Sequence, residues 1–414
     1  MFYLYSLIYL ISLIFMLPSE FMKRPGGLRK RWLREKLGYI KPTALSSETK
    51  TVWLHAVSVG EAIAAVPFIK DLKDRYPGIG FIVSTITDTG QKVASEKLSG
   101  LAQIIYLPFD LGFILRRAIK SVNPALFITM ETEIWPNIFR EMKRHGAAVA
   151  IVNGRISGSS FSGYRRIKFF MEGLLKNVDL FCMQDEIYAR RAIEIGADEK
   201  RVKVTGNFKF DIRTSGEKPV WADIIAGPVI VAGSTHRGEE DLIIDAYAAL
   251  KKDFPSLNLI IAPRHPERFK EVEELLRAKG VSFIKKSQLR DVSRLLGTVM
   301  LLDVIGELFA TYGVSDIAII GGSFIEHGGQ NPLEPAYWAK PVLCGTHMEN
   351  FPFIEEFLKE GGALRVGRKE LYHRLKELLS SPEKRYSIGR NAKEFCVKNT
   401  GAVDKAIKAL QGYL

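Results

Sequence analysis

TVWLHAVSVGE, residues 51–61, decides how the chain is read: a short apolar run from Thr51 to His55 turns through small residues into Gly60 and Glu61, where an amphipathic stretch begins. VIVAGSTHRGE, residues 229–239, repeats the device in the second half and again ends on a Gly-Glu pair. A buried strand that feeds a helix start is the opening of a parallel βα unit. Two such openings predict two doubly wound domains.

Working outward from the first, short apolar runs predict strands at 52–55, 81–85, 104–107, 126–130, 148–152, 180–183 and 202–204. Amphipathic segments lie between them, as at 61–76, where Ile63, Val66, Ile69 and Leu72 recur at near-helical spacing. Polar residues with Gly216 and Pro219 interrupt the rhythm at 206–220, which reads as a linker. The alternation restarts with strands expected at 229–232, 257–262, 281–284, 299–302, 317–320 and 341–343, and only helical patterning remains beyond Arg368. The expected organisation is therefore 1–41, 42–205, a linker 206–220, and 221–414, with the last segment able to pack back across the first domain. Ligands of open α/β sheets bind at the carboxyl ends of strands, so the site is expected in a cleft between facing strand ends.

A chain of 414 residues, 47% hydrophobic and 25% charged, is globular and excludes disorder and fibrous repeats. Its 59 Lys and Arg against 46 Asp and Glu give +13, which favours an anionic partner. Cys182, Cys344 and Cys396 are widely spaced, argue against disulfides and structural zinc, and fit a reducing compartment as buried small side chains.

Residues 1–17 are apolar or aromatic apart from Ser6 and Ser12 and carry no side-chain charge. Eight Lys or Arg and two Glu follow between Ser19 and Lys41, which puts net +6 in that flank. The charges come after the apolar run and no small-residue cleavage site follows, so the segment reads as an uncleaved anchor rather than a secretory signal. The basic flank keeps the globular body cytoplasmic, against anionic lipid. Arg165, Arg166 and Lys168 with Phe169 and Phe170 offer a second interfacial contact.

The chemistry is sought in the loops after the strands. Glu61 falls in the first helical turn, where a carboxylate gains from the helix dipole; the same position suits a general base aimed at an acceptor hydroxyl. His55, Ser58, Gly60, Thr87, Glu131 and Arg155 stand in loops that converge on the acceptor side of the expected cleft. Residues 233–239 have the spacing of a phosphate loop, but Glu239 replaces the lysine of an NTPase; Ser234 and Thr235 are left to cradle a single phosphate. Arg264 and His265 are placed to meet that phosphate. Asn331, Pro332 and Glu334 spell a capping box, while the glycines before them suit close approach of a ribose. Glu131 and Glu133 are a candidate metal pair, but no two aspartates stand two apart and no histidines share ligand spacing, so no metal and no cofactor are expected.

In order along the chain, HAVSVGE, STITDTG, ETEIWPN, NGRIS, GSTH, APRHPERF, GGSF and GGQNPLEP, preceded by the anchor, resemble the 3-deoxy-D-manno-octulosonic acid (Kdo) transferases of lipopolysaccharide core biosynthesis. The resemblance covers essentially the whole chain. It implies a GT-B fold, a metal-independent inverting transfer of Kdo from CMP-Kdo to a lipid A precursor, and residence on the cytoplasmic face of the bacterial inner membrane. It implies that 42–205 binds the acceptor and 221–414 binds CMP-Kdo, with Glu61 as the catalytic base. Pro263, Arg264, the stretch Ile305, Gly306 and Glu307, and the stretch Asn331, Pro332, Leu333 and Glu334 match the CMP-binding positions, and His265-Pro266 matches the phosphate-contacting element. A nonhydrolysing sugar-nucleotide epimerase shares the two-domain architecture but is usually soluble. A non-catalytic membrane-tethered binder of lipid or RNA is the other rival. Basic residues interleaved with aromatics on strands are not found, so nucleic acid is not an expected partner.

Overall fold

The computed structural model describes residues 2–41, 50–131, 133–212, 216–291 and 293–414. They form two compact units, Met1–Asp211 together with Thr400–Leu414, and Ile212–Asn399.

The first unit holds β1 (Thr51–His55), β2 (Gly80–Thr85), β3 (Gln103–Tyr106), β4 (Pro124–Met130), β5 (Ala148–Gly154), β6 (Leu180–Met183) and β7 (Val202–Val204). They pair in parallel in the order β3-β2-β1-β4-β5-β6-β7. Every residue of β1 is buried, as helices on both faces require. Val52 and Leu54 join one core with Phe68 and Ile69 of α3 (Val59–Arg75), while Trp53 points the other way into a core with Phe127 and Phe139. Because β1 lies between β2 and β4, the winding reverses there, and the loop after β1 stands at the topological switch point.

The second unit carries β8 (Ile225–Ala226), β9 (Val229–Thr235), β10 (Asn258–Pro263), β11 (Phe283–Lys285), β12 (Leu295–Leu296), β13 (Val299–Leu301), β14 (Ile317–Ile320), β15 (Val342–Cys344) and β16 (Ala363–Arg365). Seven of them form a parallel sheet, β11-β13-β10-β9-β14-β15-β16, and β8 with β12 makes a separate short ladder. Here the winding reverses at β9, so 233–239 occupies the switch point of its own sheet. Each unit taken by itself is Rossmann-like, as the expected GT-B fold requires.

Three expectations need correction. The strands β8, β12 and β16 are not among those expected, and β11 and β15 begin two residues and one residue later than the apolar runs. Residues 206–211 are not linker: Phe208 and Phe210 are buried in the first unit, and 213–215 lie outside the described residues. The bound 221–414 ends at Asn399 instead, because the last helix, Ala402–Leu410, packs back on the first unit as the sequence allowed, with Val403, Ala406 and Ile407 on the core that holds Val52 and Leu54. The start of that helix is held by Asp211, whose carboxylate accepts from the Gly401 and Val403 N–H groups at 2.6 Å each. Asp211→Ala should leave both donors unmatched and cost roughly 1–3 kcal/mol. Faster amide exchange over 402–410 would show it, and unchanged protection would refute the clamp.

The helix α1 (Phe2–Lys23) has mean hydropathy 1.8 and none of its apolar window is buried. It is nonetheless docked on the first unit at both ends. Near its start Ser6 Oγ accepts from Asn137 Nδ2 at 2.9 Å and Arg140 lies 4.7 Å from the Phe2 ring. Near its end Phe21 packs on Trp32, and Arg24 pairs with Asp88 at 2.8 Å.

Candidate functional site

The chain leaves β1 and enters α3 through Ser58, extended at φ −107° and ψ 168°, whose Oγ accepts from the Glu61 N–H at 3.3 Å. Glu61 answers: Oε1 accepts from Ser58 Oγ at 3.0 Å and Oε2 from the Val57 N–H at 2.8 Å. The side chain is nearly enclosed, with the residue 8% exposed. Burial pushes the carboxyl up, the Val57 N–H draws it down, Glu131 and then Glu133 add to the rise, and it stands at about 7. Desolvation thus outweighs the two hydrogen bonds that favour the anion, and a carboxyl in that state can exchange a proton near neutral pH.

Glu131 adopts the left-handed conformation at φ 53° as the chain leaves β4. Its charge is felt by Glu61 and also by Lys209, whose ammonium burial drives down while Glu131 raises it and Arg155 lowers it. Arg155 also acts on Tyr188, whose phenol burial raises and the guanidinium charge lowers. Glu61, Glu131, Arg155 and Lys209 therefore form one charged neighbourhood at the carboxyl ends of β1, β4 and β5.

Two acceptor-side expectations are displaced. His55 is wholly buried, its Nδ1 3.0 Å from the Ser84 carbonyl and hydroxyl oxygens, and burial holds the ring down to about 3. It is a neutral strut of the sheet, against Trp135. Thr87 caps the helix Asp88–Lys97 by accepting from the Gly90 N–H at 3.0 Å, so its oxygen is engaged. Gly60 has room for a side chain, since a Cβ there would meet only Ser58 Oγ at 3.8 Å.

In the second unit Glu239 is fully buried and saturated. Its Oε2 accepts from the His236 and Gly322 N–H groups at 2.9 and 2.6 Å, and its Oε1 from those of Ser323 and Phe324 at 3.0 and 2.9 Å. It ties the loop after β9 to the loop after β14. Three imidazoles gather above this tie, with ring centres of His236 3.9 Å from His327 and 5.6 Å from His265. Gln330 Nε2 stands 3.2 Å from His236 Nε2, and burial first, then the other two rings, hold His236 down to about 4. The neutral ring is the favoured form at pH 7.

Ser234 is left-handed at φ 55°, and Thr235 is buried with an Oγ1 that has no partner among the described residues. The Arg264 N–H donates to the Thr235 carbonyl at 3.0 Å, which fixes the loop after Pro263, while its exposed guanidinium makes no hydrogen bond or ion pair among the described residues. His265 is also exposed, edge-on to His236 and with Glu267 at 3.9 Å. An anion would complete both.

The capping box expected at 331–334 is not formed. Asn331 Oδ1 accepts from the Leu333 N–H at 3.1 Å, but Glu334 accepts from Asn331 Nδ2 at 3.4 Å instead of returning to its backbone. Burial raises Glu334 to about 7 against the pull of Asn331 and Arg264. Pro332 and Leu333 are buried and present backbone only. Ile305 is 80% exposed beside Gly306 at φ 90°, whereas Glu307 is engaged by Trp221 Nε1 at 3.0 Å and Lys286 at 3.2 Å.

Sequence reading missed Lys209, His327 and Gln330 as site residues. Lys209 had a signal, being flanked by Phe208 and Phe210 in a segment too apolar for a linker. Among the described residues no three His, Cys, Asp or Glu side chains are grouped to hold a metal ion.

The family described as 3-deoxy-D-manno-octulosonic-acid transferase (kdotransferase) matches residues 31–212. The chain is 36% identical to the 3-deoxy-D-manno-octulosonic acid transferase of Haemophilus influenzae over 374 residues, 88% of this chain and 87% of that one. It is 30% identical to the enzyme of that name from Bordetella pertussis over 408 residues, 95% and 94% of the two chains. Among solved structures it resembles the UDP-GlcNAc 2-epimerase of Neisseria meningitidis, at a TM-score of 0.60 and 15% identity, over 88% of this chain and 100% of that one. That last likeness is one of fold alone.

Proposed function

The chain belongs to the 3-deoxy-D-manno-octulosonic acid transferases, and from that premise we propose that it moves Kdo from CMP-Kdo to a lipid A precursor, lipid IVA, with inversion and with Glu61 as general base. The observation that carries the reading is the state of Glu61: a carboxyl at the switch point of its sheet, nearly enclosed, raised to about 7, and bound among the described residues by one backbone N–H and one hydroxyl. Its counterpart Glu239 holds four backbone donors and has no capacity left.

In the proposed step Glu61 takes the proton of the acceptor hydroxyl, whose oxygen attacks the anomeric carbon of Kdo. The bond from that carbon to the phosphate oxygen breaks, and CMP leaves with the electron pair. Arg264 and His265 receive the phosphate charge, the strongest help a site can give a departing anion. Glu334 is assigned to the ribose hydroxyls and exposed Ile305 to the face of the base, while Ser58, Glu131 and Arg155 orient the acceptor. Ser234 and Thr235 supply the loop against which Arg264 is fixed. The epimerase alternative keeps only the shared fold.

The helix α1 supports placement at a membrane. Twenty-two residues extend about 33 Å, and contacts at both ends lay that length along the first unit. Its outward residues Leu7, Ile11, Ile14 and Phe15 are exposed. Such a helix enters one leaflet rather than crossing two, with its basic flank on anionic lipid at the cytoplasmic face.

The test is incubation with CMP-Kdo and the lipid A precursor. CMP release must depend on the lipid and match its growth; equal release without lipid sinks the transferase. The same assay gives a pH profile. Because the base works ionised and its carboxyl stands at about 7, kcat/KM should fall about tenfold per pH unit below that value. A profile flat from pH 5 to 8 would remove Glu61 from the role.

A further inference from the structure

On the first unit a cavity of about 390 Å³ opens between α1 and the helices Gly158–Arg166 and Lys168–Leu175. Tyr5, Trp135, Tyr164, Phe170 and Met171 make its walls, and Ile167, 49% exposed, stands at its rim. Its volume lies in the range of small-molecule pockets. We propose that this groove receives an acyl chain of the glycolipid acceptor, an assignment that rests on the transferase reading and adds a subsite to it.

Three observations converge on that occupant. The groove shares a wall with α1: Phe2 packs on Phe170 with ring centres 6.2 Å apart, and the outward side chains of the same helix are apolar and exposed. A chain can therefore pass from the leaflet into the groove without crossing water. Glu133 lines the other end, accepts from Trp135 Nε1 at 3.1 Å, and is close enough to Glu61 to raise its carboxyl. A lipid seated here carries its sugar toward the base. Finally, Arg165, Arg166 and Lys168, on the two helices that wall the groove, are exposed, Lys168 with Glu172 3.7 Å away. Their charge complements the phosphates of the acceptor, and a neutral lipid would gain nothing from them. Phe169, 79% exposed, extends the apolar rim.

Photolabelling tests the groove without needing turnover. The full chain is placed in phosphatidylglycerol vesicles with a lipid A precursor bearing a diazirine at the end of one acyl chain, and the labelled peptides are mapped. Label is expected on Tyr164, Phe170, Met171 and Tyr5, and Ile167→Trp, which narrows the mouth, should lower it about tenfold. Label confined to Leu7, Ile11 and Ile14 would mean that the chain stays in bulk lipid, and the proposal would fall. Equal labelling of the groove by a phosphatidylglycerol carrying the same diazirine chain would also overturn it. Loss of Kdo transfer to an acceptor that still labels the groove refutes the enzymatic reading instead, so the two failures are told apart.

Discussion

Glu61→Gln is expected to lower kcat for Kdo transfer by about 10²–10⁴-fold while leaving CMP binding unchanged. Gln keeps the Val57 N–H on its amide oxygen and can turn its NH₂ toward Ser58 Oγ, so the helix start survives and only the proton acceptor is lost. The same substitution should make the protein more stable at pH 8. A carboxyl whose folded value is raised from 4.5 to about 7 prefers to be protonated in the native state. It costs nothing below pH 4.5, and the cost grows as pH climbs toward 7 and is full above it. Neutral Gln removes that cost, a gain on the order of 1–3 kcal/mol at pH 8 that vanishes at pH 4.5. Lower stability at pH 8, or retained turnover, would each count against the assignment. An active residue that strains its own fold is the pattern expected where function holds a charge in the wrong solvent.

The two halves use one local device for opposite ends. Each sheet reverses its winding at its first long strand, and each places Gly-Glu at the helix start that follows. In the second unit the neighbouring loop 322–324 folds back and supplies three N–H groups, with His236 giving a fourth, so Glu239 is consumed by structure. Among the described residues of the first unit no loop folds back on Glu61 in that way; Glu131 and Glu133 act on it instead as repelling carboxylates. The sequence pattern is the same, and the difference is made by what the following strands deliver.

That contrast marks where sequence reading stops. Strands of the first unit were legible because parallel strands buried on both faces must be apolar throughout, as β1 and β2 are. The edge strand β16 was not: paired only to β15, it needs only Ala363 buried and tolerates exposed Arg365. His55 was placed in the cleft because it ends a strand, yet the pleat turns it inward onto Ser84. Arg264 and His265 were legible as loop residues after β10, and the structure leaves both exposed, which is all that the proposed contact with an anion requires of their placement. Lys209 was hidden by Gly216 and Pro219, which mark a break that begins only after Asp211.

Glu239→Ala should be the most damaging single substitution in the second unit. It removes both oxygens and leaves four buried N–H donors of residues 236, 322, 323 and 324 without a partner. Each unmatched donor costs about 1–3 kcal/mol, relieved in part where water enters the space. A net loss of roughly 3–6 kcal/mol follows, comparable with the whole stability of a domain. Glu239→Gln separates charge from shape: its amide oxygen still accepts, but its NH₂ confronts two donors, so it should fall between wild type and Ala. Because the loop it anchors carries His236 and adjoins Gln330, surviving Gln protein should bind CMP more weakly while the first unit keeps its fold. Differential scanning calorimetry with CMP titration reads both effects. If Ala melts within one degree of wild type, the four hydrogen bonds are not what holds these loops, and the division of labour between Glu61 and Glu239 has to be abandoned.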